Sequence, residues 1–126
     1  MVILDTNVLI DHLRQQGEQL SVLTNLIQEN PKETVAISMI SVQELYEGKS
    51  TKLEEKEKDM LAILAPLRIL PYSFEVAQLA GQIARDLPHP IELADAAIAA
   101  TTIVNGGKLL TLNKKHFTSI HDLDFA

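Results

Sequence analysis

Apolar residues run without a break through Val2-Ile3-Leu4, meet Asp5-Thr6-Asn7, and then recur at helical spacing. This change of period predicts a buried parallel strand ending in an acid and followed at once by a helix. Thr6 or Asn7 can cap that helix, which should run to about Arg14 with Val8, Leu9 and Leu13 inward. Gln15-Gln16-Gly17 breaks it, and a second helix is expected over Glu18–Glu29, with Leu20, Leu23 and Ile27 on one face and Asn30-Pro31 as its stop. Thr34-Val35-Ala36-Ile37 is a short β-branched run and predicts a second strand. Ser41-Val42-Gln43-Glu44 has capping-box spacing, and Gly48 suits the end of the helix it would start.

The mixed-charge run from Lys52 to Asp59 reads as the solvated face of a helix, with Glu54 and Lys58 one turn apart, Met60, Leu61 and Leu64 inward, and Pro66 ending it. Arg68-Ile69-Leu70 predicts a third strand closed by Pro71. Ser73 then caps a helix carrying Val76, Leu79, Ala80, Ile83, Ala84 and Leu87, in which Gly81 and the alanines would admit a close neighbour. After the connector Leu87-Pro88-His89-Pro90, the alanine-rich stretch from Ile91 to Thr102 predicts another helix. Asn105-Gly106-Gly107 ends it, and Lys108–Thr111 predicts a fourth strand. Asn113 can cap a short helix through Phe117, and Leu123-Asp124-Phe125 suits an edge strand.

Strands alternating with helices predict an α/β fold, a parallel sheet covered on both faces. The 126 residues suffice for one domain, 1–126, with a real core. Hydrophobic residues make up 46% of the chain and aromatics only 4%, so Leu, Ile, Val and Ala must build that core. The absence of cysteine excludes disulfides and thiolate metal sites and suits a reducing cytoplasm. Charges interrupt every apolar stretch, so neither a signal peptide nor a membrane span is expected. A net charge of −6 argues against nucleic-acid binding through bulk positive charge, but not against a nuclease with clustered acids.

The candidate chemistry lies at the strand ends. In open α/β sheets ligands sit beyond the carboxyl ends of the strands, and Asp5 stands at such a place unless it merely caps the next helix. Glu44 either closes the capping box or faces the same crevice from the first turn of its helix. Ile91, Asp95, Ile98 and Thr102 share one helix face, which sets a carboxylate in an apolar stripe with no Lys or Arg within one turn and Glu92 nearby. A buried carboxylate must be protonated, hydrogen-bonded, paired or metal-bound. Asn113 follows the fourth strand, beside Lys114, Lys115 and His116. Oxygen ligands without Cys, and without a histidine pair at ligand spacing, favour Mg²⁺ or Mn²⁺ over Zn²⁺. Such an ion would serve hydrolysis of a phosphodiester.

Four stretches, VILDTNVLID, ISMISVQELYEG, LADAAIAATTIVNG and KLLTLNKKHFTSI, resemble the PIN-domain family, specifically the VapC toxins of VapBC toxin–antitoxin pairs. The resemblance implies a three-layer sandwich of helices around a short parallel sheet and a Mg²⁺- or Mn²⁺-dependent endoribonuclease. It also implies a homodimer and a VapB-type antitoxin whose tail occupies the active-site groove. Residue by residue it marks Asp5, Glu44 and Asp95 as catalytic acids and metal ligands, and Asn113 as the fourth catalytic position, where Asn in place of Asp leaves one metal site better supported than two. Thr6, Asn7 and Thr111 become supporting polar residues. Lys49, Lys52, Lys114 and Lys115 would then form a basic rim steering RNA. A housekeeping RNA-processing PIN nuclease and a non-catalytic RNA- or protein-binding module are the competing readings. Haloacid-dehalogenase-type phosphohydrolases also open with strand–Asp, but they want a second acid where this chain has Asn7.

Overall fold

The computed structural model describes residues 1–15 and 21–126. Four strands, β1 (Val2–Leu4), β2 (Val35–Ser38), β3 (Arg68–Leu70) and β4 (Lys108–Leu110), form one parallel sheet in the order β3-β2-β1-β4. The helices described are α1 (Thr6–Arg14), α2 (Val22–Glu29), α3 (Met39–Glu47), α4 (Glu54–Leu64), α5 (Phe74–Asp86) and α6 (Leu93–Val104), with 3₁₀ turns at Lys49–Lys52 and Lys114–His116. Among these residues no helix is long and apolar enough to cross a membrane.

Side chains alternate across each strand and so feed two cores. Val2, Leu4 and Ile37 pack with Leu9, Leu23, Leu45 and Leu64 on one face. Ile3, Ala36 and Leu70 point the other way, where α6 lies against β2 and β4 and its Ile98 packs with Leu109 and Phe117. Each large aliphatic side chain buried this completely contributes about 1.5–3 kcal/mol. Helix α3 sits at the seam: Leu45 belongs to the first core, while Ile40 packs against the second. The result is the expected sandwich of helices around a short parallel sheet.

Strand order decides where a site can form. The first two crossovers move outward from β1 to β2 to β3, and the third returns to place β4 on the far side of β1. Beyond β1 the connections therefore diverge, opening the crevice at the topological switch point. Close packing of β1 against β4 needs Gly107, where a Cβ would collide with the Ile3 side chain and stand 3.0 Å from the Met1 carbonyl oxygen.

Several local expectations need correction. Helix α3 begins at Met39 and not after Ser41, because β2 runs into it without a loop and Ser38 Oγ accepts the Ile40 N–H at 3.2 Å. The α1 cap position is Asp5, so Thr6 and Asn7 lie inside the helix. Residues 16–20, including the predicted start of the second helix and Leu20, lie outside the described residues; α2 is capped by Ser21, which accepts the Thr24 N–H at 3.1 Å. Leu26 packs inward on α2 while Ile27 is exposed, and Leu61 on α4 is exposed too. Gly81 faces open space; α5 meets α6 through Ala80 against Ala96 and Ala100. The tail makes a single parallel bridge, Leu109 with Phe125, where a strand was expected. The pairings Glu54–Lys58 and Ser73 with the Val76 N–H form as anticipated.

Candidate active site

Asp5 is the first residue beyond β1, and its N–H donates to the Leu110 carbonyl at 2.8 Å, which locks it to the β1–β4 register. Its carbonyl accepts the Val8 N–H at 3.0 Å, as a cap residue's should, yet its side chain closes no capping bond. The carboxylate is instead claimed by the crevice. Thr111 Oγ1 donates to Asp5 Oδ2 at 2.7 Å and accepts the Asn113 N–H at 3.0 Å, so β4 and the turn after it brace the acid. Asp5 is only 5% exposed. Burial pushes its carboxyl above the ordinary range; the Thr111 bond, the nearby Thr6 and Asn7 backbone N–H groups and the His116 imidazole pull it partly back.

Glu44 stands in the second turn of α3, one turn later than expected, because the helix starts earlier. It is half-buried, and its Oε1 accepts the Thr6 hydroxyl at 2.6 Å. Thr6 Oγ1 also lies 2.8 Å from Ser41 Oγ, so these three residues pin α1 to α3. Glu44 therefore caps nothing, and the capping-box alternative falls. Burial raises its carboxyl, the Thr6 bond opposes this, and the charges of Asp5, Asp95 and Glu47 raise it further.

Asp95 lies in the first turn of α6, its side chain 17% exposed, with Ile98 and Thr102 buried on the same helix face. Burial and then the Asp5 charge raise its carboxyl; His116 lowers it, and Glu92 adds to the rise. His116 Nδ1 stands 3.3 Å from Asp95 Oδ2, and its Nε2 stands 2.9 Å from the Asn113 side-chain amide. Asn113 thus joins the acids through Thr111 and through His116, and its side chain caps no helix. Asn7 Oδ1 accepts the Leu112 N–H at 3.3 Å, which ties α1 to the segment carrying Asn113.

Two depressions flank the acids. One, of about 510 Å³, runs between α1, α3 and α4 and is lined by Glu44, Lys49, Arg14 and Lys56. The other, of about 430 Å³, is lined by Asp95, His89, Lys115 and His116. Lys49 and Lys115 therefore each line a depression that one of the acids also lines. Lys52 lines neither depression, and Lys114 stands 5.3 Å from the centre of the Phe125 ring, a cation–π contact. His116, Ser41, Arg14 and Lys56 were not anticipated. The signal for His116 was its position three residues after Asn113, which a 3₁₀ turn converts into adjacency.

Three carboxylates, all raised by burial and two of them raised further by a neighbouring acid's charge, make a region that favours a cation, and the donors are hard oxygens throughout. Among the described residues no three His, Cys, Asp or Glu side chains stand close enough together to hold a metal ion by themselves. Mg²⁺ does not require such a set, since it is commonly held by one or two carboxylates together with water and phosphate.

The PIN domain family matches residues 2–123. The chain belongs to the PIN-domain family. Its relatives include "Ribonuclease VapC10" of Mycobacterium tuberculosis, 32% identical over 98% of this chain and 90% of the relative. "Toxin FitB" of Neisseria gonorrhoeae is 38% identical over 80% of this chain and 79% of its own. Among solved structures, the VapBC2 complex of Rickettsia felis bound to a promoter DNA fragment contains a chain that superposes with a TM-score of 0.82 at 28% identity, covering 99% of this chain and 96% of that one. The PIN-domain match agrees with the resemblance carried by the four sequence stretches, and the acids of this PIN domain lie where those stretches converge.

Proposed function

We propose that this PIN domain is a metal-dependent endoribonuclease and the toxin of a VapBC-type toxin–antitoxin pair, acting in the cytoplasm on RNA. The observation that carries the reading is the convergence of Asp5, Glu44 and Asp95 at the sheet's switch point, each with its carboxyl raised by burial and two of them raised by their neighbours' charge. The full-length similarity to proteins named as VapC ribonucleases supports the same reaction.

In this reading Asp5, Asp95 and Glu44 hold one Mg²⁺ or Mn²⁺. When bound, the ion supplies positive charge for the phosphodiester and acidifies water. Thr111 fixes Asp5 by one oxygen. Thr6 does the same for Glu44, which opens onto the larger depression and takes up the proton of the attacking water. Asn113, held by its backbone N–H, orients a water or a phosphate oxygen with its amide. An antitoxin of the VapB type is the partner, as in the toxin–antitoxin complexes to which the chain is similar. A homodimer is supported by the exposed apolar side chains Met39, Tyr72 and Leu93, which border one shallow hollow.

The test is cleavage of a mixed RNA pool with Mg²⁺ or Mn²⁺, with and without EDTA, by the native chain and by Asp95→Asn. Cleavage that requires metal and vanishes in the variant is expected. Equal cleavage by both proteins, or none by folded native protein, would overturn the assignment.

A further inference from the structure

The two depressions differ in character, and each is lined by one of the acids. Glu44 belongs to the larger and Asp95 to the smaller, while the charges of Asp5 and Asp95 act on Glu44 and that of Asp5 on Asp95. The larger is lined by the aliphatic Ile10, Leu13 and Met60 and by three cations, Arg14, Lys49 and Lys56, against two acids, Glu44 and Asp59. The smaller carries Lys115, His89 and His116 beside the acids Glu92 and Asp95, with little apolar floor beyond Pro90 and Ile91. In a chain of net charge −6, the excess of cations in the larger depression, with Lys115 in the smaller, offers partners to the phosphates of a polyanion that reaches the acids.

We propose that the larger depression is a base-reading subsite: an unpaired RNA base inserts over Ile10, Leu13 and Met60, and the phosphate beyond the cut meets Lys115 in the smaller one. The proposal rests on the nuclease reading and assigns how that site chooses its substrate. A volume of about 510 Å³ is ample for a base and its sugar, within the ~300–1,000 Å³ in which small ligands are seated. Aliphatic walls cover the faces of a base, and the planar Arg14 guanidinium can stack on it as guanidinium groups do in single-strand recognition. A base inside a duplex is already stacked and paired, so the subsite selects single strands and loops. Lys49 and Lys56 are exposed and neutralise the backbone around the inserted nucleotide. Lys115 contributes charge without reading sequence.

The experiment has two readouts on the full chain. Binding of labelled single-stranded RNA oligomers, and of the same sequences as duplex, is measured by fluorescence anisotropy in EDTA, where no cleavage is expected. Fragment ends are sequenced after cleavage of an RNA pool with Mn²⁺. Leu13→Trp fills the floor; Ser50→Trp fills the depression from an exposed lining position on the Lys49–Lys52 turn and guards against a folding defect at Leu13. Both should change the nucleotide preferred on one side of the cut and leave the other side unaltered. Lys115→Ala should weaken binding several-fold for every sequence and reduce the salt dependence by about one phosphate contact. Duplex RNA should bind at least tenfold more weakly than the single strand. Native protein that binds and cleaves while both Trp variants keep its end preferences and affinities would overturn the subsite and leave the nuclease reading standing. Native protein that neither binds nor cleaves RNA would overturn both. Occupation of the depression by a protein partner alone would appear as RNA binding indifferent to Leu13→Trp and Ser50→Trp, and would also overturn the subsite.

Discussion

Replacing Thr111 with Val removes one hydroxyl and almost no volume. That hydroxyl donates to Asp5 Oδ2 at 2.7 Å and accepts the Asn113 N–H at 3.0 Å, and both Thr111 and Asp5 are buried. A hydrogen bond to a charged group contributes about 1.5–3 kcal/mol and a neutral one about 1 kcal/mol. Asn113 is half-buried and can recover water for its N–H, so the expected loss is about 2–4 kcal/mol. For a domain of this size that is a fall in Tm on the order of 10 °C. The loss should depend on pH, with a definite sign. Burial already holds the folded-state pKa of Asp5 above its unfolded value, so ionisation costs stability as pH rises between the two. Without Thr111 the folded-state value climbs further. The gap between variant and native protein therefore opens as pH rises through the native Asp5 pKa and is small in acid, where the carboxyl is protonated in both. Urea unfolding followed by circular dichroism in EDTA, at pH 7.5 and near pH 4, measures this directly, with Thr111→Ser as the control that keeps the hydroxyl. A loss below about 0.5 kcal/mol at pH 7.5, or the same loss at both pH values, would refute the bracing role.

The other acids give a companion expectation. Asp95, like Asp5 and Glu44, is held above its ordinary pKa, so metal-free Asp95→Asn should melt higher than native protein at neutral pH and converge with it below about pH 4; a variant less stable at neutral pH would contradict this. Added Mg²⁺ or Mn²⁺ should raise the Tm of native protein, by the equivalent of about 2.7 kcal/mol at a hundredfold excess over Kd, and have little effect on Asp5→Asn. Ser73→Ala should cost about 1 kcal/mol through loss of the α5 cap and leave the RNA cleavage rate intact once folded, as urea unfolding and a cleavage assay can check. Gly107→Ala should destabilise by about 1–3 kcal/mol, because the new methyl group meets the Ile3 side chain and the Met1 carbonyl, and calorimetry would register it.

What could be read from the sequence follows a physical division. Strand positions were legible because Val2-Ile3-Leu4 and Leu109-Leu110 are short apolar runs that end abruptly, and Asp5 followed from the first of those ends. Helix starts were less so: Ser38 and Ser41 both suit a cap, and only the loop-free junction after β2 selects Ser38. The partners of the acids were not legible at all. Thr6 meets Glu44 and Thr111 meets Asp5 across 38 and 106 positions, and no local period encodes such pairs. His116 lies among lysines and reads as loop until the 3₁₀ turn brings it to Asp95. Inward faces were legible to within one residue, as Leu26 in place of Ile27 illustrates. A helix face a full 100° wide tolerates either neighbour.

The hydrogen bond between Thr111 and Asp5 also bears on how the chain is made. Asp5 leaves the ribosome well before Thr111, since their bond spans 106 positions of the chain. Synthesis proceeds from the N-terminus, and contacts this distant in sequence are slow to close. Strand β1 can pair early with β2, but its other edge stays empty until β4 arrives. A nascent chain that already carries Asp5, Glu44 and Asp95 but not yet Thr111 therefore lacks the brace on Asp5, and RNA-cutting capacity should appear only once Thr111 has emerged and β4 has paired with β1.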